Sequence, residues 1–77
     1  MKFKIIDVRP RIMKGEEPFA LIRENIDSLK AGQGLTVIAP FLPAPLIELL
    51  KGEGFQATLE RCSDGGWRVS FSRPEAL

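Results

Sequence analysis

Few side chains in this 77-residue sequence are suited to catalysis. The sequence contains no histidine, no tyrosine and a single cysteine, Cys62. Imidazole general-base catalysis and metal sites built from histidine or several thiolates are therefore excluded. The adjacent carboxylates Glu16 and Glu17 could act as an acid–base pair, but acidic residues beside a helix start usually stabilise the helix. We therefore expect no catalytic constellation, no metal site and no cofactor.

The strongest candidate for a functional site is a binding surface. Arg9, Arg11 and Lys14 follow the first predicted strand, and Phe41 and Leu42 follow the second. If these strands are parallel, both connections leave the same edge of the sheet, where α/β proteins commonly bind ligands. The sequence predicts an apolar floor with a basic rim there, suited to an acidic surface of a protein partner or to a small anionic ligand. In the alternative interpretation, the two apolar residues cap the core and the basic side chains are solvated.

The thiol of Cys62 supports a second hypothesis. Alternation along the third predicted strand places Cys62 with Gln56, Thr58 and Glu60 on the more polar face. An accessible thiol could carry sulfur or take part in redox transfer. Because a lone surface cysteine is usually incidental, we favour a non-catalytic role and keep an enzymatic role on Cys62 as the alternative.

The charge distribution raises a third hypothesis, RNA binding. The net charge is +1, but the first 14 residues carry five basic residues against one acidic residue, and the rest carry six against nine. A basic segment of this kind can contact phosphates. The near-neutral total and the lack of exposed aromatic residues interleaved with basic ones argue against nucleic acid as a partner.

Length and composition indicate one domain, residues 1–77, in which we expect residues 73–77 to form a frayed tail. No apolar run approaches the ~20 residues that span a bilayer, so we expect no contact with membranes. The N-terminal segment lacks the apolar region and cleavage site of a signal peptide. One cysteine fits a reducing compartment, which predicts a cytoplasmic protein.

The hydrophobic pattern predicts four strands and two helices. We expect strands at residues 2–8, 35–39, 55–60 and 67–72, with a hairpin turn at 63–66 between the last two. A first helix begins after Pro18, where apolar residues recur at helical spacing, and ends by Gly32 with Lys30 in its last turn. A second helix covers residues 46–50, after the proline-rich segment 40–45. Residues 9–17 are expected to form a loop.

This order predicts an α+β fold, a two-layer α/β sandwich of β-α-β-α-β-β order. Its four-stranded mixed sheet has both helices on one face, with the first two strands parallel and the last two antiparallel. The pattern places Phe3 and Ile5 on the core face and leaves Ile6, Leu21 and Ile38 off the core. If Ile6 and Ile38 are neighbours on the open face, they could form a small dimer contact, so we expect a monomer or a weak homodimer.

Short motifs spread along the chain resemble a known family. D-V-R at residues 7–9 and G-E-E-P at 15–18 resemble the strand end and helix start of the TusA/SirA-like superfamily. D-V-R-P at residues 7–10, A-G-Q-G-L at 31–35 and W-R-V at 67–69 are similar to segments of uncharacterised members of that superfamily. The resemblance is closest to its uncharacterised relatives, the domain-of-unknown-function family DUF2249, and implies the same sandwich fold.

The sulfur-carrier site of that superfamily is absent from this sequence. The cysteine of the carriers' C-P-x-P motif falls at Gly15 and its first proline at Glu16, and only Pro18 matches. Glycine has no nucleophile, so persulfide cannot be carried at this position. The resemblance therefore implies a TusA-like domain without the carrier function.

Overall fold

The computed structural model describes residues 2–73, so residues 74–77 of the predicted tail lie outside the described part of the chain. Seven elements follow one another: β1 (Lys2–Asp7), α1 (Arg9–Met13), α2 (Phe19–Asp27), β2 (Gln33–Ala39), α3 (Ala44–Gly52), β3 (Gln56–Arg61) and β4 (Trp67–Ser72). The fourth predicted strand has the observed bounds, and each of the other three differs by one or two residues at one or both ends.

The four strands form one mixed sheet in the order β1-β2-β4-β3. β1 and β2 are parallel, whereas β4 is antiparallel to both β2 and β3. The predicted α+β sandwich is therefore confirmed, with one helix more than expected. Because β4 runs against β2, the β3–β4 hairpin turn lies at the edge of the sheet where β1 and β2 end.

The additional helix is α1, within the segment predicted to be a loop. Pro10 lies in its first turn, where the missing N–H of proline costs no helical hydrogen bond. The N–H of Ile12 donates to the carbonyl of Val8 at 3.0 Å, and Ile12 packs against the core. The loop prediction was therefore wrong over residues 9–13, where Pro10 is a favourable first-turn residue.

The core lies between one face of the sheet and helices α2 and α3. Val37, Val69 and Phe71 are fully buried on the sheet side. Ile22 and Ile26 of α2 and Leu50 of α3 cover them from the helix side. Alternation in the strands and three-to-four-residue spacing in the helices place these side chains together.

The predicted faces of β1 were wrong. Ile6 pairs with Val37 and packs against the core, whereas Phe3 and Ile5 lie on the open face and are 42% and 67% exposed. Val8 directly follows β1 and is buried, so Ile6, two residues earlier, faces the core as well. Since Ile38 lies opposite Asp7, on the open face, Ile6 and Ile38 cannot form the predicted dimer contact.

The first predicted helix is shorter than expected. α2 ends at Asp27, so Lys30 is not in its last turn. The hydroxyl of Ser28 donates to the carbonyl of Asn25, a side-chain bond that competes with continued helix. Leu21, expected off the core, packs against it.

Gly34 should be intolerant of any side chain. A Cβ there would lie 2.8 Å from the carbonyl oxygen of Phe71 and would overlap the ring of Phe3. Gly34→Ala should therefore lower the free energy of unfolding by about 1–3 kcal/mol, measured by urea denaturation. Gly52→Ala is the matched control, since a Cβ at Gly52 meets nothing within 4 Å. It should leave stability unchanged or raise it by up to about 1 kcal/mol. Equal effects of the two variants would contradict this account.

Candidate functional site

An apolar groove of about 260 Å³ opens where the chain leaves β1 and β2. Its walls come from α1, the start of α2, and the segment that leads into α3. Among the described residues that line it, Glu17 alone is charged. The lining consists of Val8, Ile12, Glu17, Pro18, Phe19, Ile22, Phe41, Pro43, Pro45 and Leu46.

Prolines at both helix starts build the groove. Pro18 is the N-cap of α2, Pro43 is the N-cap of α3, and Pro45 lies in the first turn of α3. Proline fixes its own backbone torsion and has no N–H, so these segments are stiff and offer few donors. They hold Phe41 and Phe19 at the groove, where 55% and 40% of each residue is exposed to solvent.

Glu17 occupies the N-terminus of α2. Its Oε1 accepts a hydrogen bond from the N–H of Phe19 at 2.6 Å. One of the unpaired N–H groups of the helix start is thereby satisfied by a carboxylate, which the positive end of the helix also favours. An anion at this helix start would meet the charge of Glu17, which disfavours anion binding there.

Arg9 is held in a three-residue ion-pair cluster that we call the Arg9 clamp. Its guanidinium binds the carboxylate of Asp7 at 2.8–3.2 Å and that of Asp64, in the hairpin turn, at 2.5 Å. The bond to Asp7 raises the pKa of Arg9, and the bond from Arg9 lowers the pKa of Asp7. The pKa of Asp64 is lowered first by the N–H of Gly66 and then by Arg9. The clamp joins the end of β1 to the β3–β4 hairpin.

The other predicted site residues lie around the groove rather than in its lining. Arg11 pairs with Glu16 at 3.7 Å. Lys14 is exposed at the end of α1, and Leu42 is exposed beside Phe41. Of the five residues predicted to bind, only Phe41 lines the groove.

Cys62 is a free, half-buried cysteine at the start of the hairpin turn. Its backbone N–H donates to the carbonyl of Gly66 at 2.8 Å. The neighbouring arginines are engaged elsewhere, since Arg61 stacks on Trp67 and Arg68 pairs with Glu60 at 2.9 Å. Within residues 2–73, no cluster of three or more histidine, cysteine or acidic side chains could hold a metal ion. Nor is any helix of that part of the chain long and apolar enough to cross a membrane.

Sequence reasoning missed most of the groove lining and the clamp. The four-residue spacing of Val8 and Ile12, with Pro10 between them, was the available signal for α1. Contact between Arg9 and Asp64 depends on the strand order, which places the hairpin turn beside the end of β1. A local pattern carries no information about such a pairing.

The comparisons with known proteins identify a family. The family model described as "Uncharacterized conserved protein (DUF2249)" matches residues 5–73. The chain belongs to this family. The predicted membership of DUF2249 is thus confirmed, and the match contains every residue that lines the groove. No curated protein and no solved structure matches the chain.

The charge of Asp64, which the N–H of Gly66 and the guanidinium of Arg9 both stabilise, should make stability depend on pH. Because the pKa of Asp64 is lowered in the folded protein, its charge stabilises the fold above its ordinary pKa of 3.8, and this contribution is lost as pH falls through the lowered value. Asp64→Asn should lower the urea midpoint near pH 6, and the gap from wild type should shrink towards about pH 3. Asparagine keeps an oxygen that can accept from the N–H of Gly66.

Glu48→Gln is the control for this measurement. Glu48 is an exposed carboxylate of α3 that takes part in none of the ion pairs found in residues 2–73. The urea midpoint of Glu48→Gln should equal that of wild type at each pH. A gap for Asp64→Asn that stays constant with pH would show that the charge of Asp64 does not stabilise the fold.

Proposed function

We propose that this DUF2249 domain is a non-catalytic, cytoplasmic protein-binding module. Its contact surface is the apolar groove, with Phe41 as the central exposed residue. The observation that carries the proposal is the nearly complete lack of polar groups in a groove formed by three separate segments. Arg9, Arg11, Lys14 and Leu42 form the rim of the proposed surface.

The size and chemistry of the groove favour a side chain of a partner protein over a small metabolite. Pockets for drug-sized ligands and cofactors span about 300–1,000 Å³ and contain a few convergent polar groups. This groove, at about 260 Å³, lies just below that range, and Glu17 is its one charged lining residue. It matches one or two apolar side chains, the size of an interface anchor.

The charges at the rim contribute less than the sequence suggests. Arg9 is neutralised by Asp7 and Asp64, and Arg11 has Glu16 as its ion-pair partner. Exposed charges that are already paired in this way add little to binding. The binding free energy must therefore come mainly from covering Phe41 and Phe19, which supports an apolar partner segment over a small anion.

Titration with N-acetyl-phenylalaninamide, a mimic of one apolar anchor, tests the proposal. Amide chemical shifts should change for groove residues such as Ile12, Phe19 and Leu46, and should stay unchanged for the residues of strand β3. Phe41→Ser should weaken this binding by about three- to tenfold, because roughly half of a phenylalanine's burial energy is lost. The fold should be retained, since Phe41 is 55% exposed.

Leu59→Ser is the matched control. Leu59 is 47% exposed on β3 and does not line the groove, so the variant loses a similar exposed apolar surface elsewhere. Its affinity for the probe should equal that of wild type. If Phe41→Ser unfolds the domain, Phe41 belongs to the core and the proposed surface is wrong. Shifts centred on Cys62 and the hairpin would also contradict the proposal.

A further inference from the structure

The position of Glu17 defines the chemistry of the partner more closely. Glu17 is the one charged residue among those that line the apolar groove. We infer that the groove accepts a protein segment in which the apolar anchor is next to a lysine or arginine. This inference rests on the proposed binding function of the groove and adds the charge of the partner.

The carboxylate of Glu17 is held in place before any partner binds. Its Oε1 is fixed by the hydrogen bond from the N–H of Phe19, two residues along the chain. Its Oε2 forms none of the hydrogen bonds or ion pairs found within residues 2–73. A carboxylate oxygen held at the wall of an apolar groove can accept from an ammonium or guanidinium group without a large loss of side-chain entropy.

The cations near the groove do not neutralise Glu17. Arg9 binds Asp7 and Asp64, and Arg11 pairs with Glu16. In the described part of the chain, no ion pair joins Glu17 to Lys14 or to any other basic residue. The charge complementary to Glu17 is therefore positive, although the basic residues of the sequence suggested an anionic ligand or an acidic partner.

The expected size of the preference is modest. Exposed ion pairs change an equilibrium by about two- to fivefold, and salt screens them. Apolar contacts should therefore determine whether a segment binds, and Glu17 should determine which neighbouring residue is preferred. A partner carboxylate at the same position would be repelled by Glu17.

Two dipeptides of equal size provide the test. N-acetyl-Phe-Lys-amide and N-acetyl-Phe-Glu-amide share the aromatic anchor and differ in the charge beside it. Binding is measured from amide chemical shifts at low salt. The lysine peptide should bind about two- to fivefold more tightly than the glutamate peptide, and about 1 M salt should remove most of this preference. Both peptides should shift the same groove residues.

Glu17→Gln should abolish the preference without loss of the helix cap. Glutamine keeps an Oε1 that can accept from the N–H of Phe19, so α2 should remain folded, which circular dichroism would verify. Glu24→Gln is the matched control, since Glu24 is an exposed carboxylate of the same helix that does not line the groove. It should keep the preference of wild type.

The outcomes separate this inference from the proposed function. Equal binding of the two dipeptides to the groove, or tighter binding of the glutamate peptide, would overturn the inference and leave the apolar groove as a binding site. A lysine preference that persists in Glu17→Gln would overturn it as well. No groove shift with either dipeptide or with N-acetyl-phenylalaninamide would overturn both.

Discussion

The arrangement of the site depends on how β2 is paired. β2 lies parallel to β1 on one side and antiparallel to β4 on the other. The connection after β1, the connection after β2 and the β3–β4 turn are thereby placed at one edge of the sheet. The groove and the Arg9 clamp both lie at this edge. A change in the direction of either neighbour of β2 would move one of these segments to the opposite end of the sheet.

Rigidity distinguishes this edge from an ordinary pair of loops. The segments that form the groove contain proline at the N-caps of α2 and α3 and in the first turns of α1 and α3. Much of the conformational entropy that a partner would otherwise have to remove is therefore already lost in the free protein. The Arg9 clamp adds a nonlocal tie, since Asp64 is far from Arg9 in sequence. Exposed aromatic rings on so stiff a support are suited to a contact that forms without rearrangement.

The sequence predicted the architecture because strong periodic patterns determined it. In β4, apolar residues from Trp67 to Phe71 alternate with polar ones, and in α2 the spacing of Ile22 and Ile26 is helical. Both β4 and α2 were therefore recognised from the sequence. Ile5 and Ile6 are adjacent apolar residues, and their alternation could not be resolved until the burial of Val8 was known. The five residues of α1 offered no signal beyond the four-residue spacing of Val8 and Ile12. At the site, Phe41 was predicted because the neighbouring residues in the sequence are apolar. The neutralisation of Arg9 could not be predicted, because it depends on the three-dimensional position of Asp64.

The topology also determines which part of the sheet a molecule bound in the groove would stabilise. β3 and β4 are joined by five residues, and such hairpins form within about 1–10 μs. β1 and β2 are separated by 25 residues that include α1 and α2, so their parallel pairing must close a long loop. The groove exists only after β1 has joined the sheet, because Val8 and Ile12 follow that strand directly. A molecule bound there would therefore stabilise the attachment of β1 to the sheet.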